Sequence, residues 1–176
     1  PGAGPMTGLD RLAGDARVAV RRGGLPDPGG RAVVYWMQRA QRGSDNPALD
    51  AAIEAGNTLG LPVVAYFGLT PAYPNANRRH YRFMAEGFAD IAAQLADRHV
   101  GFVIGRAPEH DVVRFCDAVG AALVIGDENP LREPEAWRAD AAARLRVPFW
   151  TVDADVVVPS VLLLKEQFAA RTIRPR

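Results

Sequence analysis

Five short apolar runs alternating with stretches of helical period constrain this chain more than any other feature. The runs are Ala32-Val33-Val34-Tyr35-Trp36, Val63-Val64-Ala65-Tyr66-Phe67, Phe102-Val103-Ile104, Ala122-Leu123-Val124-Ile125 and Phe149-Trp150-Thr151-Val152. Continuous runs of this kind suit strands covered on both faces, as parallel strands are. A strand, a helix and a second parallel strand close into a right-handed crossover, and repeating the unit lays helices over both faces of one sheet. The expected fold is a five-stranded, doubly wound parallel sheet of Rossmann-like α/β class, in the common strand order 3-2-1-4-5.

Helix boundaries are written in the punctuation between the runs. Asp45-Asn46-Pro47 marks a helix start, because an Asp or Asn side chain accepts hydrogen bonds from the free amides of the first turn and a proline at the first helical position loses none. Leu49, Ile53, Gly56 and Leu59 recur at helical spacing, and Gly60 closes that helix. A loop from Leu69 to Asn77, with Pro71 and Pro74, leads into a long helix whose apolar face is Tyr81, Met84, Phe88, Ile91 and Leu95. The next helix places Val112, Cys116 and Val119 on one side and stops at Gly120; a fourth, from about Pro134 to Leu145, turns Trp137, Ala141 and Leu145 inward. Residues 1–30 are rich in Gly, Pro and Arg and read as a partly extended arm, with one alternating piece at Arg17-Val18-Ala19-Val20. After Pro159 a short helical piece spans Leu162 to Phe168.

Composition removes several classes of function. A chain of 176 residues, 48% of them hydrophobic, makes one domain with a proper core. The single cysteine, Cys116, excludes an internal disulfide and a four-cysteine zinc site, and its place on a buried stripe makes it a core thiol. No apolar run reaches the roughly 18 residues of a membrane span, and the first residues lack the apolar centre of a secretory signal. A cytoplasmic protein without membrane contact is expected. Net charge is +1, and Lys165 is the sole lysine, so no basic patch argues for nucleic-acid binding. There is no G-x-G-x-x-G after the first strand and no G-x-x-x-x-G-K-[ST], and Ser44 and Ser160 lie outside any G-x-S-x-G elbow. His80, His99 and His110 have no paired spacing for a metal.

Strand order then points to a crevice. In the order 3-2-1-4-5 the direction of winding reverses between the first and fourth strands, and the loops leaving their carboxyl ends face each other. This sets Met37, Gln38 and Arg39 opposite Asp127, Glu128 and Asn129, with Trp36 and Phe67 at the ends of adjacent strands. These eight are the candidate cofactor-binding residues. Trp36 and Tyr35 either pack in the core or present an aromatic face to a flat ligand. Arg39 and Arg42 either pin their loop, by pairing with Asp45 or Glu128, or meet an anionic ligand or a partner domain. Asp127 and Glu128 are neighbours on an extended chain and point apart, so they form no shared-proton dyad, and a hydrogen-bonding role for one of them is expected.

Five motifs in order carry a resemblance. They are Tyr35-Trp36-Met37-Gln38-Arg39 with Gln41-Arg42 and Asp45-Asn46, Arg79-His80-Tyr81-Arg82-Phe83-Met84, Asp127 with Pro130-Leu131-Arg132, Val152-Asp153-Ala154, and Ala169-Ala170-Arg171-Thr172-Ile173-Arg174-Pro175. From about Arg17 to its last residue the chain resembles the amino-terminal domain of class II cyclobutane pyrimidine dimer photolyases. The resemblance implies that residues 31–168 form an antenna domain holding 8-hydroxy-5-deazaflavin or FMN. It implies as partner an all-helical domain, on the same gene product or a separate chain, that binds FAD and the DNA lesion and performs the light-driven repair. Residues 169–176 then begin a linker to it, and this chain alone carries no catalytic residue and no direct DNA contact. Two rivals come from other classes: a docking module without chromophore, and a nucleotide-binding stress-type α/β protein. The chain departs from the family pattern at Arg39-Ala40-Gln41-Arg42, where R-D-Q-R is usual and supplies a local ion pair. It departs again at Asp155, often His, and at Pro47, often aromatic.

Overall fold

In a computed structural model the described residues are 8–71, 73–163, 165, 169 and 171. In chain order the elements are α1 (Gly8–Ala13), β1 (Val18–Arg22), β2 (Ala32–Trp36), α2 (Pro47–Leu59), β3 (Val63–Leu69), α3 (Arg78–Asp97), β4 (Gly101–Arg106), α4 (Val112–Val119), β5 (Ala121–Asp127), α5 (Arg132–Arg144) and β6 (Phe149–Val152), followed by a 3-10 turn at Ser160–Leu162. The strands form one sheet in the order β1-β6-β5-β2-β3-β4. The five strands expected from the apolar runs are parallel and stand in the expected order, with the reversal between β2 and β5.

The count of five strands needs correcting to six. β1 pairs antiparallel with β6, setting Val18 opposite Val152 and Val20 opposite Trp150. From Gly8 onward the arm therefore contains a short helix and an edge strand packed on the domain. Its strand escapes a sequence reading because three of its neighbouring residues are arginines, each used in a contact rather than left to solvent. Arg17 donates to the carbonyls of Asp153, Val156 and Val157, Arg21 pairs with Glu128 and Glu135, and Arg22 donates to the Ala142 carbonyl.

Successive strand residues point to opposite faces, and the two faces bury separate sets. Val33, Tyr35, Ala65, Leu123, Ile125 and Trp150 pack with α1, α2 and the end of α3. Val34, Trp36, Tyr66, Val124 and Phe149 pack with α4 and α5. β5, between β2 and β6, is buried along its whole length. Cys116 is buried against the second face, where burial, with Asp117 and Asp111 adding to it, pushes its thiol up to about 12.

Local chemistry fixes the helix ends. Asn46 is fully buried and its side chain accepts from the Ala48 and Leu49 amides at 3.1 Å each, while Pro47 opens α2. Gly60 and Gly120 end α2 and α4 in the left-handed conformation that a side chain disfavours. α3 ends differently: His99 itself takes a left-handed φ of 58°, and the Val100 amide donates back to the Leu95 carbonyl at 2.9 Å. Of the expected apolar face of α3, Ile91 and Leu95 are buried, whereas Tyr81, Met84 and Phe88 are half-buried.

α5 carries a residue that no apolar pattern marks. Arg138 is fully buried, donates to the Asn129 carbonyl, and pairs with Glu135 and, at 3.4 Å, with Glu128. The helical piece expected from Leu162 to Phe168 and the tail from Ala169 lie largely outside the described residues.

Two outcomes follow. Replacing His99 with glycine relieves the left-handed penalty and is expected to raise unfolding stability by roughly 0.5–1 kcal/mol in urea titrations, with unchanged slope; a loss would mean that His99 does not hold that conformation. Arg138→Ala leaves Glu128 and Glu135 short of a buried cation and is expected to cost about 3 kcal/mol. A cost under ~1 kcal/mol would show the network to be no more than a surface pair.

Candidate cofactor cleft

β5 ends on Asp127, and its carboxylate bridges the point where the sheet reverses. The side chain is fully buried. Its Oδ2 accepts from three successive amides, Gln38 at 2.9 Å, Arg39 at 2.7 Å and Ala40 at 2.9 Å. Its Oδ1 accepts from the Tyr35 hydroxyl at 2.7 Å. Tyr35 in turn accepts from the Asn46 side-chain amide at 3.0 Å, and that amide also donates to the carbonyls of Ala40 and Arg42. Burial raises the Asp127 carboxyl above its ordinary value against these four hydrogen bonds. Burial, and after it the neighbouring Asp127, holds the Tyr35 phenol well above its usual range, so it remains a donor.

The two loops meet as strand order requires, but they meet in contact. Asp127 is enclosed in that contact and does not itself line open space. Glu128 is turned away, into the network of Arg21, Thr151 and Arg138 that joins β1, β6 and α5. The hydrogen-bonding role expected of one carboxylate is taken by both, each toward the protein.

Arg39 and Arg42 take a partner that neither sequence alternative named. Both pair with Asp155, and Arg42 also donates to the carbonyls of Asp45 and Ala154 at 2.8 and 3.0 Å. The ion pair missing at Ala40 is thus supplied from beyond β6. Asp153 extends the same clasp by accepting from the Ser160 amide and hydroxyl.

The open space lies beside the reversal, over the carboxyl ends of β2 and β3. It is a cleft of about 1040 Å³. Six of the eight candidate residues line it, namely Trp36, Met37, Gln38, Arg39, Phe67 and Asn129; Asp127 and Glu128 do not. Much of the remaining wall comes from residues that a sequence reading assigns to core or loop, among them Tyr73, Tyr81, Met84, His110 and Trp137, with Arg114 and Arg144 beside them. Tyr73 and Trp137 meet edge to face with centroids 5.7 Å apart. Tyr81 reaches back to the loop before its helix, accepting from the Tyr73 amide and donating to the Thr70 carbonyl. The signal that could have found these residues is the aromatic content around the proline-rich loop, since that loop also leaves the carboxyl end of a strand.

Polar groups in the cleft divide into spent and unspent. Asp111 caps α4 through the Val113 and Arg114 amides and pairs with Arg144, which also pairs with Asp140. Burial alone would raise the Asp111 carboxyl, but the Arg144 guanidinium and the two amides outweigh it and hold it below the ordinary value. By contrast, Gln38 Oε1 and His110 Nδ1 are buried atoms with no hydrogen-bond partner among the described residues. Buried polar atoms are ordinarily satisfied, so two orphans in one cleft fit a ligand with polar edges. Among the described residues no cluster of His, Cys, Asp and Glu suits a metal ion, and no helix is long and apolar enough to cross a membrane.

Comparison with known proteins places this geometry. The family model for DNA photolyase matches residues 33–176. The deoxyribodipyrimidine photo-lyase of Methanothermobacter thermautotrophicus is 38% identical over 162 residues, 91% of this chain and 36% of that protein. The enzyme of the same name from Potorous tridactylus is 34% identical over 148 residues, 82% of this chain and 28% of that protein. The chain spans about a third of the length of these curated relatives. Among solved structures, the universal stress protein of Archaeoglobus fulgidus in complex with dAMP is similar with a TM-score of 0.47 at 16% identity, over 72% of this chain and all of that one. With most of its length inside the matched region, the chain belongs to the DNA photolyase family, to the amino-terminal α/β domain of that family.

Proposed function

We propose that this chain is the antenna domain of a deoxyribodipyrimidine photolyase, holding a flat chromophore in the cleft and docking on a helical FAD-binding partner. The observation that carries the reading is the cleft itself. Its volume, about 1040 Å³, suits a three-ring ligand. Trp36, Phe67, Tyr81, Met84 and Trp137 offer aromatic faces and a thioether to such a ring system. Gln38 and His110 would meet its polar edge. Either 8-hydroxy-5-deazaflavin or FMN fits this description, and when bound it supplies absorption of blue light and passage of the excitation to a flavin. The chain's own part is to bind the ring, orient it and keep water from it. Repair chemistry, FAD and the DNA lesion belong in this reading to the helical partner, so the full-length relative is the enzyme.

A second observation supports the docking half of the proposal. Beyond β6, Val157, Val161 and Leu162 are 93%, 66% and 57% exposed, while Arg17 holds the carbonyls of Val156 and Val157 in place. An apolar strip fixed at the surface suits a partner domain. The same strip is what favours the rival reading, a docking module without chromophore.

Titrating the purified chain with 8-hydroxy-5-deazaflavin and with FMN, followed by absorbance and fluorescence anisotropy, separates the readings. Saturable uptake is expected, weakened roughly tenfold (~1.4 kcal/mol) by Trp137→Ala. No uptake by a folded chain would leave the docking module. Stabilisation by ATP without chromophore uptake would favour the stress-type protein.

A further inference from the structure

Doubly wound folds ordinarily hold a phosphate on the amides that follow the first parallel strand. Those amides exist here and are convergent: Gln38, Arg39 and Ala40 aim three successive N–H groups at a single point. The point is taken by Oδ2 of Asp127. We infer that Asp127 is an internal anion that fills this amide nest, and that it thereby determines the ligand class of the cleft by excluding phosphate from the β2–α2 loop.

Three features make the exclusion firm. A phosphate would need the same donors that Asp127 now saturates, at 2.7–2.9 Å. Expelling the carboxylate would strand a fully buried side chain and leave the Tyr35 hydroxyl without its acceptor at 2.7 Å. Adding a phosphate beside it would set a second anion against the Asp127 carboxylate, and the two arginines of the loop already share Asp155. The ligand of the cleft is then recognised by its ring faces and polar edge, with any phosphate it carries contributing nothing at this loop. The last statement rests on the antenna reading; the occupation of the nest does not.

The test has one arm on the wild-type chain and two that extend it. In 15N-labelled wild-type protein, the amide resonances of Gln38, Arg39 and Ala40 are expected to stay fixed as inorganic phosphate replaces chloride at constant ionic strength. Movement confined to these three amides would overturn the inference. Asp127→Gly empties the nest, and its unfolding midpoint is expected to rise when formate or phosphate replaces chloride, by more than that of the wild type. Equal responses of the two proteins would count against an anion role. If the variant stays unfolded in every salt, the wild-type spectra decide. Riboflavin and FMN are expected to bind the wild type within roughly threefold of each other, and an advantage of tenfold or more for FMN would overturn the ligand-class statement. Failure of both to bind would count against the antenna reading and would leave the amide measurement to judge Asp127.

Discussion

A carboxylate sealed from water, ringed by three backbone amides and a phenol, is the contact on which this structure turns. It ties the end of β5 to the loop after β2, the two central strands between which the sheet reverses. Asn46 carries the tie onward, since the same side chain that caps α2 also bonds Tyr35 and the carbonyls of Ala40 and Arg42. Strand end, loop and helix start are thereby one hydrogen-bonded unit. The interaction is worth more than its distances suggest, because a buried carboxylate left unsatisfied costs several kcal/mol.

The cavity opens over the carboxyl ends of β2 and β3, between the start of α3 on one face and the start of α4 and the length of α5 on the other. Its walls are aromatic where the sheet ends, and Arg39, Asp111, Arg114, Asp140 and Arg144 stand among them. Around it Arg39 and Arg42 share Asp155, Arg144 pairs with Asp111 and Asp140, and Arg114 also lines the cleft.

The periodic features of this fold are legible in the chain because each has a local cause. Apolar runs mark the five parallel strands, even β4 at the edge where Val103 is exposed, Asn46-Pro47 marks the start of α2, and Gly60 and Gly120 mark helix ends. What is not legible depends on partners distant in sequence. β1 is a strand because Arg17, Arg21 and Arg22 find acceptors more than a hundred residues away. Arg138 reads as surface and is buried, since its carboxylate and carbonyl partners are supplied by the turn after β5 and by its own helix. Strand order does bring Met37 and Asp127 together, but it carries no measure of the distance between them. One carboxylate oxygen within hydrogen-bond reach of three amides draws the two loops into contact at Asp127, and the cleft that both of them line lies next to that contact. Trp137 and Tyr81 sit on apolar stripes, and a stripe does not tell core from the lining of a cleft.

The most direct measurement is a crystal structure of the chain with 8-hydroxy-5-deazaflavin bound. The account predicts ring density against Trp36, Phe67 and Trp137, with Asp127 still accepting from the amides of Gln38, Arg39 and Ala40. Density lodged between Met37 and Asp127, with that carboxylate swung out, would contradict it.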